Sequence, residues 1–162
     1  MSELQRLTKD EQACNAITFE HIMLVRDLIN DFIRELLARG ETHDQSKLRP
    51  PEVAAFTEMT PKLAALTYGS KEYADCKAQL GEALAHHYAN NRHHPEHWPG
   101  MLNDMNLVDI VEMFCDWLAA SKRHNNGNIL QSIEHNANRY MMPPLLVNIF
   151  QNTAELMDRK RA

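Results

Sequence analysis

From Thr18 to Arg39 apolar residues return at helical spacing, at Ile22, Val25, Ile29, Phe32, Ile33 and Leu36, and no segment takes up the every-second-residue alternation of a half-buried strand. That confines the chain to an all-α fold. Thr18 is a fitting N-cap for this first helix, and Gly40 stands just past its end. Prolines at 50, 51 and 61 are expected to cut the next stretch, "PPEVAAFTEMTPKLAALTYGS", into short helical turns. A long helix resumes at Ser70 and runs through "KEYADCKAQLGEALAHHYANN", and "RHHPEHWPG" must then be a loop. In "NLVDIVEMFCDWLAASKRH" the apolar side chains of Leu107, Val108, Ile110, Val111, Met113, Phe114, Trp117 and Leu118 lie nearly all round the helix, which marks it as buried. "NGN" at 126–128 turns the chain into a polar helix ending near Tyr140, and Pro143 or Pro144 opens a last helix before a basic tail. The expected architecture is a bundle of five to six main helices.

A chain of 162 residues can bury about 70% of the surface its unfolded form exposes, so a single domain over 1–162 is expected, with its core in about 18–125 and further helices over 128–160. The net charge of -5, with basic residues gathered only in the terminal "DRKRA", argues against a broad nucleic-acid surface. A small anion could still be held by local positive charge. Cys14, Cys76 and Cys115 are odd in number and far apart, which fits neither a disulfide framework nor a thiolate zinc site; a reducing cytoplasm is the expected compartment. The opening "MSELQRLTKDEQ" is polar, and no apolar run approaches the roughly 18 residues of a membrane span. A soluble, unprocessed protein that does not engage a membrane is expected.

The apolar pattern leaves one thing unexplained, the polar side chains it turns inward. His21 shares a face with Leu24, Val25 and Leu28. His43 and Asp44 stand side by side in "ETHDQSKLRPPE", where the chain turns back after the first helix. Asp109, Glu112 and Asp116 make one carboxylate stripe on the buried helix. A carboxylate so placed is costly unless it is paired or holds a metal. Imidazole and carboxylate together suit a divalent ion, whether zinc, manganese, iron, cobalt, nickel or magnesium. Two histidines with two aspartates leave coordination positions open, as catalysis requires.

A helix histidine, an adjacent His-Asp pair about twenty residues on and a distant aspartate on a buried helix follow the order of the HD-domain metal-dependent phosphohydrolases, which this chain resembles over roughly residues 18–125. The resemblance implies an HD-domain-like helical bundle in which His21, His43, Asp44 and Asp116 hold one ion. Asp116 in "VEMFCDWLAAS" matches the family's final aspartate, with Asp109 as the alternative. "HDQSKLRPPE" is similar to the His-Asp-x-x-Lys segment of two-metal members and implies Lys47 as a phosphate contact. "AHHYANNRHHPEHWPG" looks like their double-histidine segment and implies His86 and His87 as ligands of a second ion, although residues 45–85 lack the histidine those members carry between the two motifs. The chain also resembles a group of small HD-like proteins of bacteria and their phages through "NRHHPEHW", "NDMNLVDIVEM" and "DW". For a phage-encoded chain the compartment would be the host cytoplasm.

The activity this implies is hydrolysis of a small phosphate ester or anhydride, a nucleotide above all, by a metal-activated water. Asp44 or a carboxylate of the stripe would take the water's proton, and Lys47, Arg92, His93 and His94 would neutralise the phosphoryl group. The alternatives are an HD-type di-iron oxygenase and a non-catalytic helical module that binds a nucleotide or a protein. Simpler roles exist for single residues. His43-Asp44 can be a turn or helix cap, and His21 a hydrogen-bonded core histidine. Arg92, His93 and His94 can cap the preceding helix. Asp109 and Glu112 can orient ligands or pair with Lys47 or Arg92. His97 and Trp98 suit loop anchoring, and His124 and His135 the surface. The apolar "MMPPLLVNIF" is compatible with core packing or a homodimer contact.

Overall fold

The computed structural model describes residues 7–67, 70–123 and 127–159, and its first helix begins well before Thr18. The cause is a capping box: Glu11 N donates to Thr8 Oγ1 (3.2 Å) while Thr8 N donates to Glu11 Oε2 (2.7 Å). Helix α1 therefore spans Lys9–Thr42. Thr18 sits inside it and gives its hydroxyl to the Cys14 carbonyl (2.9 Å). Gly40 also lies inside, because a single helical glycine costs only about 1 kcal/mol relative to alanine.

Helix α2, Glu52–Ala64, is one continuous element and not a series of turns. Pro50 and Pro51 precede its first residue, where a missing N–H removes no helical bond, and Pro61 falls in its last turn. Ser70 caps α3, Lys71–Ala78, by accepting from Tyr73 N (3.1 Å). The expected long helix does not follow. Gly81 takes φ 48, a left-handed conformation open to glycine, and the chain restarts there as α4, Gly81–Asn90. Met59, Cys76 and Leu80 close a small apolar cluster around this break.

After 3₁₀ turns over Pro95–His97 and Met101–Asp104 comes α5, Leu107–Arg123. Asn106 and Asp109 cap it reciprocally, each backbone N donating to the other's side chain at 3.0 Å. Helix α6, Ile129–Tyr140, starts from Asn128, whose Oδ1 accepts from Leu130 N (2.8 Å), and α7 spans Pro144–Arg159. The larger apolar core belongs to these three helices and is centred on Met113, Trp117, Ile133 and Phe150, C-terminal to where the sequence placed most of it. Met142 and Phe150 of "MMPPLLVNIF" enter that core, whereas Met141, Leu145 and Ile149 are exposed.

Among the described residues every regular element is helical, and there are seven α-helices, more than the five to six expected because α3 and α4 are separate. The chain divides into two compact units, Met1–Ala38 and Arg39–Ala162. The first holds the body of α1, none of whose side chains is buried. The second holds all that follows. No helix among the described residues is long and apolar enough to cross a membrane. Cys14 and Cys115 are exposed and Cys76 is buried, all as free thiols. His135 is exposed on α6, while His124 and the end of the basic tail lie outside the described residues.

Candidate metal centre

Past the end of α1 the chain turns through His43 and Asp44. Asp44 takes φ 57, a left-handed conformation uncommon for a residue with a side chain though better tolerated by aspartate than by most. A 3₁₀ turn over Gln45–Leu48 then packs on α2 and α4. This places the Asp44 carboxylate among four imidazoles. Its Oδ1 lies 3.3 Å from His87 Nε2 and 3.6 Å from His93 Nε2, and its Oδ2 lies 3.5 Å from His43 Nε2. His94 Nε2 is 2.8 Å from His87 Nε2. His43 Nε2 is also 3.7 Å from Asp116 Oδ1.

Among the described residues three overlapping sets could each hold a cation: Asp44 with His87, His93 and His94; His43 with His93 and Glu112; and His43 with Asp44 and Asp116, the donor atoms of each set lying within 4.8 Å of one another. Donors bonded to one ion at about 2.1 Å stand about 3.0 Å apart at octahedral and about 3.4 Å apart at tetrahedral angles, close to the separations seen. Hydrogen bonding points the same way. Asp44 Oδ1 and both ring nitrogens of His93 are buried without a hydrogen-bond partner, although His93 Nδ1 comes within 3.0 Å of Glu112 Oε1 at an unfavourable angle. Buried polar atoms left unpaired are costly, and a cation would satisfy them.

Charge sorts the histidines into two kinds. Asp116 and Glu112 hold the His43 imidazolium, pushed up to about 10 against the opposing effect of burial. Burial tends to raise Glu112, but the hydrogen bond with His43 and the nearby His93 ring hold it down to about 2. Asp116 is likewise held low by His43, against burial. His94 is pushed down by burial and then by the charges of His93 and His87, and His87 by burial and then by Lys47. Neutral imidazoles keep the lone pair that a metal needs, whereas an ion at His43 would have to displace the ring's proton.

The other residues singled out from the sequence fall in varied places. His21 lies midway along α1 in the first unit and is exposed, as are Leu24, Val25 and Leu28 on its face. The inward orientation expected from spacing is not seen there, since a lone helix offers no surface within its own unit to cover the stripe. All the donor sets draw on residues of the second unit. His86 turns away from them: its Nδ1 meets Glu52 Oε1 at 2.7 Å and it joins no donor set among the described residues. Lys47 Nζ bonds Asp44 Oδ2 (2.6 Å) and lies over the Phe56 ring. Arg92 stacks on Trp98, 4.3 Å from the ring centroid, and donates to Asp109 Oδ1 (3.2 Å). Asp109 is fully buried and also accepts from Arg39, whose other nitrogen bonds Glu112 (2.8 Å). Asp109 is capped into α5 and clamped by two guanidiniums, and it joins no donor set among the described residues. His97 and Trp98 anchor the loop through the carbonyls of Tyr88 and Arg92 (both 2.9 Å).

The sequence did not single out Glu52. It is fully buried at the start of α2, and its carboxylate meets the Nδ1 atoms of both His86 and His87. The signal was present in the spacing, because Glu52 precedes Phe56, Met59 and Leu63 by four, seven and eleven residues, on the apolar stripe of α2. Burial opposes its charge, but hydrogen bonds from His86 and Ser46 hold its carboxyl below the usual range.

Residues 10–156 match the family model described as "Family of unknown function (DUF5662)", and the chain belongs to that family. No curated protein and no solved structure matches it.

Proposed function

We propose that this DUF5662 member is a metal-dependent phosphohydrolase of HD type, acting on a nucleotide or a related phosphate ester. The observation that carries the reading is the buried, unpaired Asp44 Oδ1 beside the buried, unpaired ring of His93. His43, Asp44 and Asp116 would hold one ion. Asp44, His87, His93 and His94 would hold a second, which makes His93 and His94 ligands in place of substrate contacts. Charge supports this. Among the described residues the carboxylates of Asp44, Glu52, Asp109, Glu112 and Asp116 face only Arg39, Lys47 and Arg92 as constant cations, so an anionic substrate would be repelled without added positive charge.

A bound divalent ion would lower the pKa of a coordinated water towards neutrality and polarise a phosphoryl oxygen. The chain's own groups would do the rest. Asp44, or Asp116 across from it, would accept the water's proton. Lys47, part-exposed at the rim and already beside Asp44, would neutralise a phosphoryl oxygen. Arg92, held flat on Trp98 and half exposed, would offer its remaining N–H groups to a second phosphate oxygen.

The test is metal analysis of the purified protein, joined to phosphate release from a panel of nucleotides and phosphodiesters with manganese, cobalt, nickel, zinc, iron or magnesium added. Bound metal with turnover, both lost in Asp44→Ala, supports the reading. Turnover that survives Asp44→Ala with metal content intact overturns it, and iron with an oxygen-dependent spectrum and no hydrolysis would favour an oxygenase.

A further inference from the structure

We propose that Glu52 is a positioning residue of the metal centre, fixing His87 in the tautomer whose Nε2 lone pair faces the ion. The inference rests on the metal reading for its purpose, but its geometry stands apart from it. Glu52 is fully buried, and its two oxygens are divided between consecutive histidines of α4, Oε1 to His86 Nδ1 at 2.7 Å and Oε2 to His87 Nδ1 at 2.9 Å. A carboxylate only accepts, so each imidazole must carry its proton on Nδ1. Asn91 Nδ2 also comes within 3.0 Å of His87 Nδ1, but its two protons are engaged by Ser46 Oγ and the His87 carbonyl, both at 2.8 Å.

The consequence appears on the other side of the rings. His87 Nε2, stripped of its proton, faces Asp44 Oδ1 and His94 Nε2. His86 Nε2 instead accepts from Asn90 at 3.3 Å, outside any donor set. Two adjacent helical residues point about 100° apart, so only one of this pair can reach the centre, and the other ties Glu52 in place. His86 is thus an anchor for the acid that aims His87.

Glu52→Gln tests this with nearly unchanged shape. The amide keeps one acceptor and replaces the other with a donor, so one of the two imidazoles must accept at Nδ1 and move its proton to Nε2. Long-range ¹H–¹⁵N spectra of the metal-free protein should show His86 and His87 as Nδ1–H in the wild type, with one of them switched to Nε2–H in Glu52→Gln. Where His87 is the one that switches, zinc or manganese titration should show affinity weakened about 10–100-fold, the usual effect of losing a carboxylate behind a ligating histidine, and where His86 switches the affinity should be kept. A wild-type His87 protonated on Nε2 overturns the proposal, even if the variant fails to fold. So does a folded Glu52→Gln whose His87 has switched to Nε2–H and that still binds metal as tightly as the wild type. A wild type that binds no metal overturns the metal reading instead, and the tautomer of its His87 still decides the role of Glu52.

Discussion

Asp109 is a buried carboxylate whose charge is met from three sides. It caps α5 through Asn106 and takes the charges of Arg39 and Arg92, so it is ionised in the fold although burial opposes this. Its folded pKa lies below the ordinary value of about 3.9, so its contribution to stability is complete above that pH and is lost as pH falls through the lowered value. Asp109→Asn should therefore cost roughly 3 kcal/mol at neutral pH, the low end for a broken buried pair, because Arg39 keeps Glu112 and Arg92 is half exposed. Urea unfolding at pH 7 and below pH 4 measures both effects, and the gap between variant and wild type should narrow in acid. Lys47 differs in kind. If it meets the phosphoryl group, Lys47→Ala should lower kcat by about 10²–10³ while leaving metal content unchanged. Equal losses of metal and activity would mark it as a support for Asp44 instead.

At the scale of elements, much of the chain's organisation was legible and the exceptions have local causes. The ends of α3, α6 and α7 announce themselves through Ser70, Asn128 and Pro144, residue types that serve helix starts. Asn128→Ala should accordingly cost about 1 kcal/mol, read as a lower urea midpoint at unchanged slope. The α3–α4 break was not legible, because a glycine within a helical pattern is tolerated and nothing nearby reveals that Gly81 turns left-handed. The His43-Asp44 pair and Asp116 stood out by their order along the chain. Glu52 did not, although it lies on an apolar stripe, because an acid in the first turn of a helix is also what a solvent-exposed helix start favours. Periodicity turned His21 inward together with Leu24, Val25 and Leu28, and all four are exposed. A stripe shows which face of a helix seeks cover, and tertiary packing decides what supplies it.

Across the second unit as a whole, the donor atoms come from segments well separated along the chain. His43 and Asp44 come from the turn after α1, His87 from α4, His93 and His94 from the segment beyond it, and Glu112 and Asp116 from α5. Of the two apolar clusters, the one on α2 and the α3–α4 break reaches this junction through Phe56, which packs edge-on against His87, and the other lies on α5, α6 and α7. A cation at the junction would link the segments that carry both and would relieve the repulsion among their acids. An ion that binds only the folded state at 100 times its Kd adds about 2.7 kcal/mol. For a chain of this length each kcal/mol raises Tm by about 2–4 °C, so saturating metal should raise it by about 5–10 °C. Thermal melts with manganese, zinc or nickel, and again after a chelator, measure this directly. Asp44→Ala should lose the rise because Asp44 enters two of the three donor sets, whereas His86→Ala should keep most of it. A wild-type Tm indifferent to every ion would leave the unpaired atoms of Asp44 and His93 without their expected partner and would break the link between this geometry and hydrolysis.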